Sequence, residues 1–322
     1  MLGMAQNKYL PEWNGYLQTR ISSDFNENTE FMVRRAKLWV HGEVPHVNRI
    51  SYKIQVVYRS FKDESFIFQD AYADIDLANH GKLRIGRFVP DFLLQRMQPD
   101  FSIPVTERAM VVDRLVHNPK YIARETGIAY LFKPKGQPWH IGIGIFNGNT
   151  DQPEHNSNNS LLYTARVNRA FSISERRKLI IGGSLAYRYI NDLNLPSIYP
   201  LTVSISGNDF RWGLEGQFHW DRFQLQSEYI TALINHEKAD GYYLIGTLDL
   251  RNRFQLTGIT EKYNDLNPST SDNTWFGAGF NYHWSDMVKL MSDFKFRNSD
   301  SPNNKIADVQ LQIFFNSKSV TN

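Results

Sequence analysis

Cysteine is absent from this chain of 322 residues, which excludes a disulfide framework and thiolate chemistry. Long apolar runs are absent too, since no stretch approaches the roughly 18 residues that a membrane-spanning helix needs. The mean hydropathy of −0.46 agrees with this, so a helical membrane protein is excluded. A charge excess is also lacking: the formal net charge is +3, so any electrostatic function must come from local groups.

Aromatic residues and alternating hydrophobicity are what the chain has in abundance. Phe, Tyr and Trp make up 14% of the residues, which suits the aromatic girdles of an outer-membrane barrel. Hydrophobic and polar residues alternate along short segments from about Trp13 to Phe315. In the segment 139–145, for example, large apolar residues alternate with His140, Gly142 and Gly144. Nearly every segment has one apolar face that no predicted helix covers, so we expect lipid to cover it.

The alternation predicts sixteen strands, an even number as a closed bacterial barrel requires. About 20 residues are available per strand and connector, which leaves no room for a second domain. The predicted fold class is therefore an all-β, transmembrane antiparallel β-barrel of sixteen strands. The predicted strands are Gly15–Ile21, Val33–Val40, Ile50–Arg59, Phe66–Leu77, Leu83–Phe88, Glu125–Lys133, Trp139–Asn147, Leu161–Phe171, Leu179–Ile190, Phe210–Trp220, Phe223–Thr231, Tyr242–Leu250, Arg253–Lys262, Trp275–Trp284, Met287–Phe296 and Ala307–Phe315.

The chain ends are assigned to short extensions of the barrel. Residues 13–316 form the predicted barrel, 1–12 an N-terminal extension and 317–322 a C-terminal tail. Gly3 and Ala5, before Gln6, stand at the −3 and −1 positions of a potential signal-peptidase site. Because no charged segment and no full apolar segment precedes them, residues 1–12 are either the remnant of a leader or an ordinary flexible N-terminus.

Connector lengths predict the orientation of the barrel. Two-residue turns are expected at Asp221-Arg222, Arg251-Asn252 and Ser285-Asp286, and we assign them to the periplasmic side. The alternate connectors are longer and polar, for example 191–208 and 232–239, and we assign them to the cell surface. With both termini in the periplasm, this long and short regularity is typical of an outer-membrane barrel.

One connector, residues 89–124 (hereafter the long loop), is far longer than a usual loop and is partly apolar. Its segment 106–115 could form a short helix. Because its apolar side chains need burial, we expect the long loop to fold into the lumen and narrow the channel. The alternative is an external cap over the mouth of the barrel.

Several short motifs follow one another in the first 130 residues. They are Gly15-Tyr16-Leu17-Gln18, Val33-Arg34-Arg35-Ala36-Lys37-Leu38, Asp70-Ala71-Tyr72, Leu83-Arg84-Ile85-Gly86-Arg87-Phe88, Thr106-Glu107-Arg108 and Arg124-Glu125-Thr126-Gly127. Together they resemble the phosphate-selective porin O and P family, in the form found in Bacteroidota-type bacteria, and beyond about residue 130 only the architecture is similar. The resemblance implies a sixteen-stranded outer-membrane porin, often trimeric, whose third loop constricts the pore and whose lumen carries arginines and lysines that guide anions.

Basic residues are the candidate pore-lining, anion-guiding set. Guanidinium groups hold oxyanions bidentately and stay charged, so a series of them lowers the barrier for anions. The alternative is that these charges keep a wet lumen soluble by pairing with acids, for which Asp70, Asp74, Asp76, Glu125, Glu215 and Glu228 are available. Strand parity points six of the basic residues inward, and three more belong to the long loop or its edge: Arg20, Arg35, Lys37, Lys53, Arg59 and Arg84, then Arg108, Arg114 and Arg124.

The sequence thus predicts an outer-membrane porin for passive diffusion of small hydrophilic solutes, favouring anions, with phosphate as one candidate. The expected partners are outer-membrane lipid and lipopolysaccharide, small anionic solutes, and a homotrimer or an envelope-complex partner, but not nucleic acid. The nine histidines show no metal-ligand spacing, and no enzyme, cofactor or metal site is predicted. Two rival interpretations remain open: a non-conducting structural or docking barrel plugged by the long loop, and a soluble sheet protein that binds glycans through its aromatic residues.

Overall fold

The chain folds into one closed barrel in which each strand is antiparallel to its neighbours and β1 pairs with β16. The computed structural model describes residues 10–26, 28–59, 65–77, 80–119, 122–134, 136–148, 156, 159–266, 273–297 and 304–317. The sixteen strands are β1 Glu12–Ser23, β2 Thr29–Glu43, β3 Ile50–Arg59, β4 Ser65–Asp76, β5 Gly81–Phe88, β6 Glu125–Phe132, β7 Trp139–Phe146, β8 Leu162–Ser174, β9 Arg177–Asn194, β10 Ser204–Trp220, β11 Phe223–Ile234, β12 Glu237–Asp249, β13 Phe254–Asn264, β14 Asn273–His283, β15 Val288–Phe296 and β16 Lys305–Asn316.

The alternation of the sequence separates two faces of this barrel. On the outer face large apolar side chains are exposed, among them Ile143 at 54% and Leu214 at 58% of their surface. On the inner face polar side chains are buried, and Gln18 and Gln310, for example, expose only 1% of their surface. An exposed apolar band around a polar interior is what a membrane-spanning barrel needs, because lipid rather than water covers the band.

The predicted count of sixteen strands is confirmed, and most predicted ends lie within a few residues of the observed ones. The predicted connector 191–208 is shorter, because β9 and β10 continue to leave only 195–203. The predicted connector 232–239 was wrong: only 235–236 separates β11 from β12. Asn235 and His236 both have positive φ, 48° and 75°, as a tight hairpin turn requires.

Of the three predicted two-residue turns, one is confirmed and two are longer than predicted. Residues 221–222 alone join β10 to β11, as predicted. The other two connections, 250–253 and 284–287, are each longer than the two-residue turns expected there. The potential leader site before Gln6 and residues 318–322 lie outside the described residues.

The register shifts at four places between paired strands of the described residues, and two of these irregularities are β-bulges in β2 and β4. Gln18 pairs with Arg35, whereas the next residue of β1, Thr19, pairs with Val33, so Arg34 is an extra residue in β2. In the same way Gln69 is extra in β4 opposite Gln55 and Val56. A bulge places consecutive side chains on one face. Arg34 is accordingly buried, although strict alternation would point it outward.

The long loop contains the short helix α1, Leu94–Met97, a 3₁₀ turn, Asp100–Ser102, and the helix α2, Met110–Leu115. The helix predicted at 106–115 therefore begins four residues later than expected. Among the described residues, no helix has the length and apolar character needed to cross a membrane.

An apolar core forms where α2 packs against β11, β12 and β13. Val111, Val112 and Leu115 of α2 are completely buried. They belong to one apolar cluster that also includes residues of β5–β9, β11–β13 and the connector 195–203. Its members from β11–β13 are Ile230, Ala232, Ile234, Ala239, Tyr243, Ile245, Ile259 and Tyr263, and those from the connector are Leu195, Ile198 and Tyr199. This part of the barrel thus has apolar residues on both faces.

Candidate pore site: the long loop and the basic residues of the barrel

Glu107 of the long loop is the centre of the largest basic cluster. Its carboxylate accepts hydrogen bonds from Arg20 at 2.6 Å and from Arg35 at 2.8 Å, and a third from Arg34. Arg34 and Arg35 can both reach it because the bulge in β2 turns both side chains inward. Arg20 also contacts Asp308 at 3.5 Å. Three guanidinium groups therefore surround two carboxylates, so the cluster has an excess of positive charge.

Asp100 of the 3₁₀ turn forms a second cluster next to the first. It accepts hydrogen bonds from Lys37 at 2.7 Å, Arg108 at 2.7 Å and the Tyr16 hydroxyl at 2.9 Å. Arg108 also donates to the carbonyl oxygens of residues 95 and 98, which fixes the shape of the loop. Phe101, beside Asp100, stacks on Trp39 with ring centroids 6.3 Å apart.

Both loop carboxylates are held in the ionised form. Burial opposes ionisation of Glu107, but Arg35, Arg20 and Arg34 together hold the pKa of Glu107 well below its usual range. For Asp100 burial is likewise opposed by nearby cations, chiefly Lys37 and Arg108, and its pKa also lies well below the usual range. The attachment of the loop to these basic residues therefore persists in mildly acidic solution.

Three further predicted residues form ion pairs away from Glu107 and Asp100. Lys53 and Arg124 both bind Asp70, at 2.9 and 3.0 Å. Arg84 binds Asp74 through two nitrogens, at 2.7 and 2.9 Å. Basic residues therefore also lie on β3 and β5 and at the end of the long loop, and a carboxylate of β4 nearly neutralises the charge of each one.

The structure does not bring every predicted residue into these clusters. Arg114 is exposed and has no ion pair within the described part of the chain, and Arg59 is partly buried near the end of β3. Among the acids expected to face inward, Asp76 is an exception, since 58% of its side-chain surface is exposed. The other five acids, Asp70, Asp74, Glu125, Glu215 and Glu228, are buried.

Two buried networks on the later strands were missed by the sequence analysis. Arg166 binds Asp91 of the long loop at 3.0 Å and Glu215 at 2.8 Å. Arg188 and Arg211 share Asp209, at 2.8 and 2.7 Å. Inward strand parity was the available signal for all three arginines, but the analysis applied it to basic residues only on the first five strands.

Carboxylates of the barrel also bind backbone N–H groups of the long loop. Glu228 accepts from the N–H groups of Leu94 and Gln95 at the start of α1, at 2.5 and 2.9 Å. Glu261 accepts from the N–H of Met110 at the start of α2, at 2.6 Å. These N–H groups have no partner within a helix, so the carboxylates take the place of capping residues.

Two cavities lie toward the end of the barrel where the short turns lie, and the long loop lines one of them. One, of about 410 Å³, is lined by charged residues of the early strands, including Glu43, Lys53 and Asp74. The other, of about 580 Å³, lies between residues 98–104 and the later strands. Within the described residues, no cluster of three or more acidic or histidine side chains is arranged to hold a metal ion.

A closed sixteen-stranded barrel with an apolar outer band and a charged interior defines a β-barrel protein of the bacterial outer membrane. The family model described as phosphate-selective porin O and P matches residues 13–314. The chain therefore belongs to the phosphate-selective porin O and P family, and it is an outer-membrane porin rather than an enzyme. Among curated proteins, none matches this sequence.

Solved porin structures have the same fold at low sequence identity. An anion-selective porin from Comamonas acidovorans is 12% identical, with a TM-score of 0.67, over 95% of this chain and 99% of that one. A double mutant of the Rhodopseudomonas blastica porin is 13% identical, with a TM-score of 0.63, over 95% and 100% of the two chains. The trimer form of OmpT from Vibrio cholerae is 11% identical, with a TM-score of 0.61, over 95% and 99%.

Proposed function

We propose that this porin allows passive diffusion of small hydrophilic solutes and favours anions, and that the long loop lies in the lumen as the constriction. The contacts of the loop support this position. Its residues bind β1 and β2 through Glu107, β11 through the backbone of α1, and β13 through the backbone of α2. Contacts with strands so far apart around a closed barrel are those expected of a loop inside it, and they support the lumenal position.

Anion preference rests on the excess of cations over carboxylates around the loop. Glu107 and Asp308 face three arginines, and Asp100 faces Lys37 and Arg108. An oxyanion that enters this region meets guanidinium groups suited to bidentate binding. Phosphate fits this chemistry, as do other small oxyanions. The anion-selective porin of Comamonas acidovorans, which has the same fold, supports the preference.

The residues to which we assign anion guidance differ in how strongly they are paired. The set is Arg20, Arg34, Arg35, Lys37, Lys53, Arg59, Arg84, Arg108, Arg114 and Arg124. Arg20, Arg34 and Arg35 share Glu107 and contribute most of the excess charge. Arg114 is exposed and acts as an outlying charge, whereas Lys53, Arg84 and Arg124 are nearly neutralised by their partners.

A non-conducting docking barrel is the second candidate function. The observation in its favour is the apolar core between α2 and β11–β13, which excludes water from one side of the interior. A homotrimer is proposed for either function, since one porin with this fold is described in a trimer form, and lipid or lipopolysaccharide would cover the remaining outer face.

Reversal potentials in planar bilayers under a potassium chloride gradient test the proposal. We expect open channels with a reversal potential on the anion side. Glu107→Gln should move it further toward anions, because three arginines would lose their shared carboxylate. The matched control is Glu175→Gln in the exposed turn 175–176, which should change nothing. Well-folded protein that inserts without conducting would establish the docking barrel instead, and a cation-side potential would refute the anion preference.

A further inference from the structure

The larger cavity is distinguished by its glutamines. It lies between residues 98–104 of the long loop and the ends of strands β10–β16, and its volume is about 580 Å³. This volume is within the range of roughly 300–1,000 Å³ that is usual for small-molecule sites. We call it the glutamine chamber. Its described lining includes six glutamines: Gln98, Gln217, Gln224, Gln226, Gln255 and Gln312.

The amides of the glutamine chamber are organised around Gln226. Gln98 donates to Gln226 at 2.7 Å, and Gln226 donates back to Gln98 at 3.1 Å. Gln217 donates to the same amide oxygen at 2.9 Å, and Gln226 donates to the Tyr243 hydroxyl at 2.7 Å. These bonds use both N–H groups and both lone pairs of Gln226, whereas Gln98 and Gln217 each keep donor and acceptor capacity for a ligand.

Other polar groups of the chamber have no partner. Within the described residues, the side chains of Gln224, His219 and His283 make no hydrogen bond, although all three line the cavity. Each offers a donor and an acceptor on one small group, as a neutral imidazole or a primary amide does. A ligand in the chamber would therefore meet both kinds of group on the same wall.

Formal charge is scarce in the chamber. Among its described lining residues, Asp286 is the one carboxylic acid and Lys289 the one lysine, and there is no arginine. Lys289 is almost fully buried, and its ammonium group donates to the carbonyl of Ile103 at 3.4 Å. The chamber also has an aromatic side, where Phe101 and Phe314 pack with ring centroids 5.4 Å apart.

We propose that the glutamine chamber is a binding site for an uncharged, hydroxyl-rich solute of monosaccharide size. A hydroxyl group donates and accepts at once, so it can satisfy both ends of a primary amide, and aromatic rings can pack against the C–H faces of a sugar. A simple anion only accepts, and in the chamber it would leave amide oxygens unpaired at a cost in free energy. This inference rests on the proposed diffusion function and names a second class of solute for it.

Saturation-transfer NMR on the detergent-solubilised barrel tests the site with D-glucose as the probe and sodium acetate as the anionic comparison. We expect transfer to both probes, since the arginines near the long loop can bind acetate, but only the transfer to glucose should depend on the chamber. Gln224→Leu should weaken glucose binding about fivefold, the effect of one lost hydrogen bond. Because Gln224 makes no hydrogen bond within the described part of the protein, this variant should fold normally, as heat-modifiable mobility in gels can verify.

Gln55→Leu is the matched control, since Gln55 is an inward-facing glutamine of β3 that bonds to Gln69, away from the chamber. It should bind glucose like the unaltered protein. A loss of acetate transfer in Gln224→Leu equal to the loss for glucose, or no effect of Gln224→Leu on glucose transfer, would overturn the proposal. The readout does not require ion flow. Channels that conduct potassium chloride but bind no glucose would therefore refute only the chamber, whereas glucose binding by a barrel without conductance would refute only the diffusion function.

Discussion

Two walls of the same barrel hold the long loop by opposite physical means. The charged wall, β1–β5, contacts it through buried ion pairs such as those of Glu107 and Asp100. The apolar wall, β11–β13, contacts it mainly through close packing against α2, and Glu228 and Glu261 add hydrogen bonds to the loop backbone. Burying a large apolar side chain contributes about 1.5–3 kcal/mol and depends little on salt or pH. Breaking one partner of a buried ion pair costs about 3–5 kcal/mol, largely because the other charge is left unpaired.

The comparison suggests that the two walls contribute differently to loop position and to ion selection. The apolar wall excludes water and anchors α2, so it contributes to position but not to ion selection. The charged wall carries the cations that we propose set the electrostatic potential of the pathway. Changes on the two walls should therefore have separable effects on stability, conductance and selectivity.

Removing the loop from both walls should have the largest effect. Deletion of residues 99–116 removes Asp100, Glu107 and α2 together. Conductance in planar bilayers should rise severalfold and selectivity should weaken, since the proposed constriction is gone. Resistance of the barrel to detergent serves as the folding control. Unchanged conductance would mean that the constriction lies elsewhere and that the loop is not in the path.

Reversing charge on the charged wall should change selectivity without closing the channel. In the double variant Arg35→Glu, Lys37→Glu the reversal potential should shift toward cations, because both side chains border the loop carboxylates. Arg176→Glu with Arg222→Glu makes the same charge change in exposed turns and should have a much smaller effect. An unchanged reversal potential in the first variant would remove these two residues from the ion pathway.

Weakening the apolar wall should affect stability and leave selectivity nearly unchanged. Leu115→Ala leaves a cavity under α2 and should cost about 2–5 kcal/mol of loop packing. Hydrogen exchange of the α2 amides should accelerate. Leu214→Ala, the same change on the exposed outer face, is the control and should leave this exchange unaltered. Equal exchange rates in the two variants would show that α2 is held mainly by the charged wall.

Acidification should have the smallest effect. The pKa of Glu107 is lowered in the folded state, so its contribution to stability is present above the unfolded value of about 4.3 and is lost only as pH falls through the lower folded value. Conductance and selectivity should thus be the same at pH 7 and at about pH 5. A change over that interval that is absent from Glu107→Gln would show that Glu107 titrates there.

Prediction from sequence succeeded on the charged wall because alternation of period two reports directly which side chains point inward. Arg20, Lys37 and Lys53 follow this rule. Arg34 does not, because the bulge that turns it inward depends on the pairing of β2 with β1, which the sequence of one strand does not contain. The ion-pair partners in the long loop could not be predicted either, since they depend on where the loop packs.

On the apolar wall the rule of alternation fails for a different reason. Residues 229–234 of β11 are almost continuously apolar. Alternate side chains belong to the apolar outer face of the barrel, and the others pack in the same cluster as α2. The sequence of such a run does not show which residues lie on the outer face of the barrel and which pack with α2. The same run hid the tight turn at Asn235 and His236, because residues that continue β11 were assigned to a loop.

The seam between β1 and β16, where the first and last strands of the chain meet, is bridged by the long loop. Arg20 of β1 donates to the carbonyl of Thr106 at 2.7 Å, and the Thr106 hydroxyl donates to Asp308 of β16 at 3.0 Å. The loop therefore bridges the pair of strands with the greatest separation in sequence. Contacts between residues so far apart in sequence are the slowest to form. The complete bridge requires both ends of the sheet, because Arg20 lies on β1 and Asp308 lies on β16. Closure of the cylinder and docking of the loop should consequently occur as a single late step in folding.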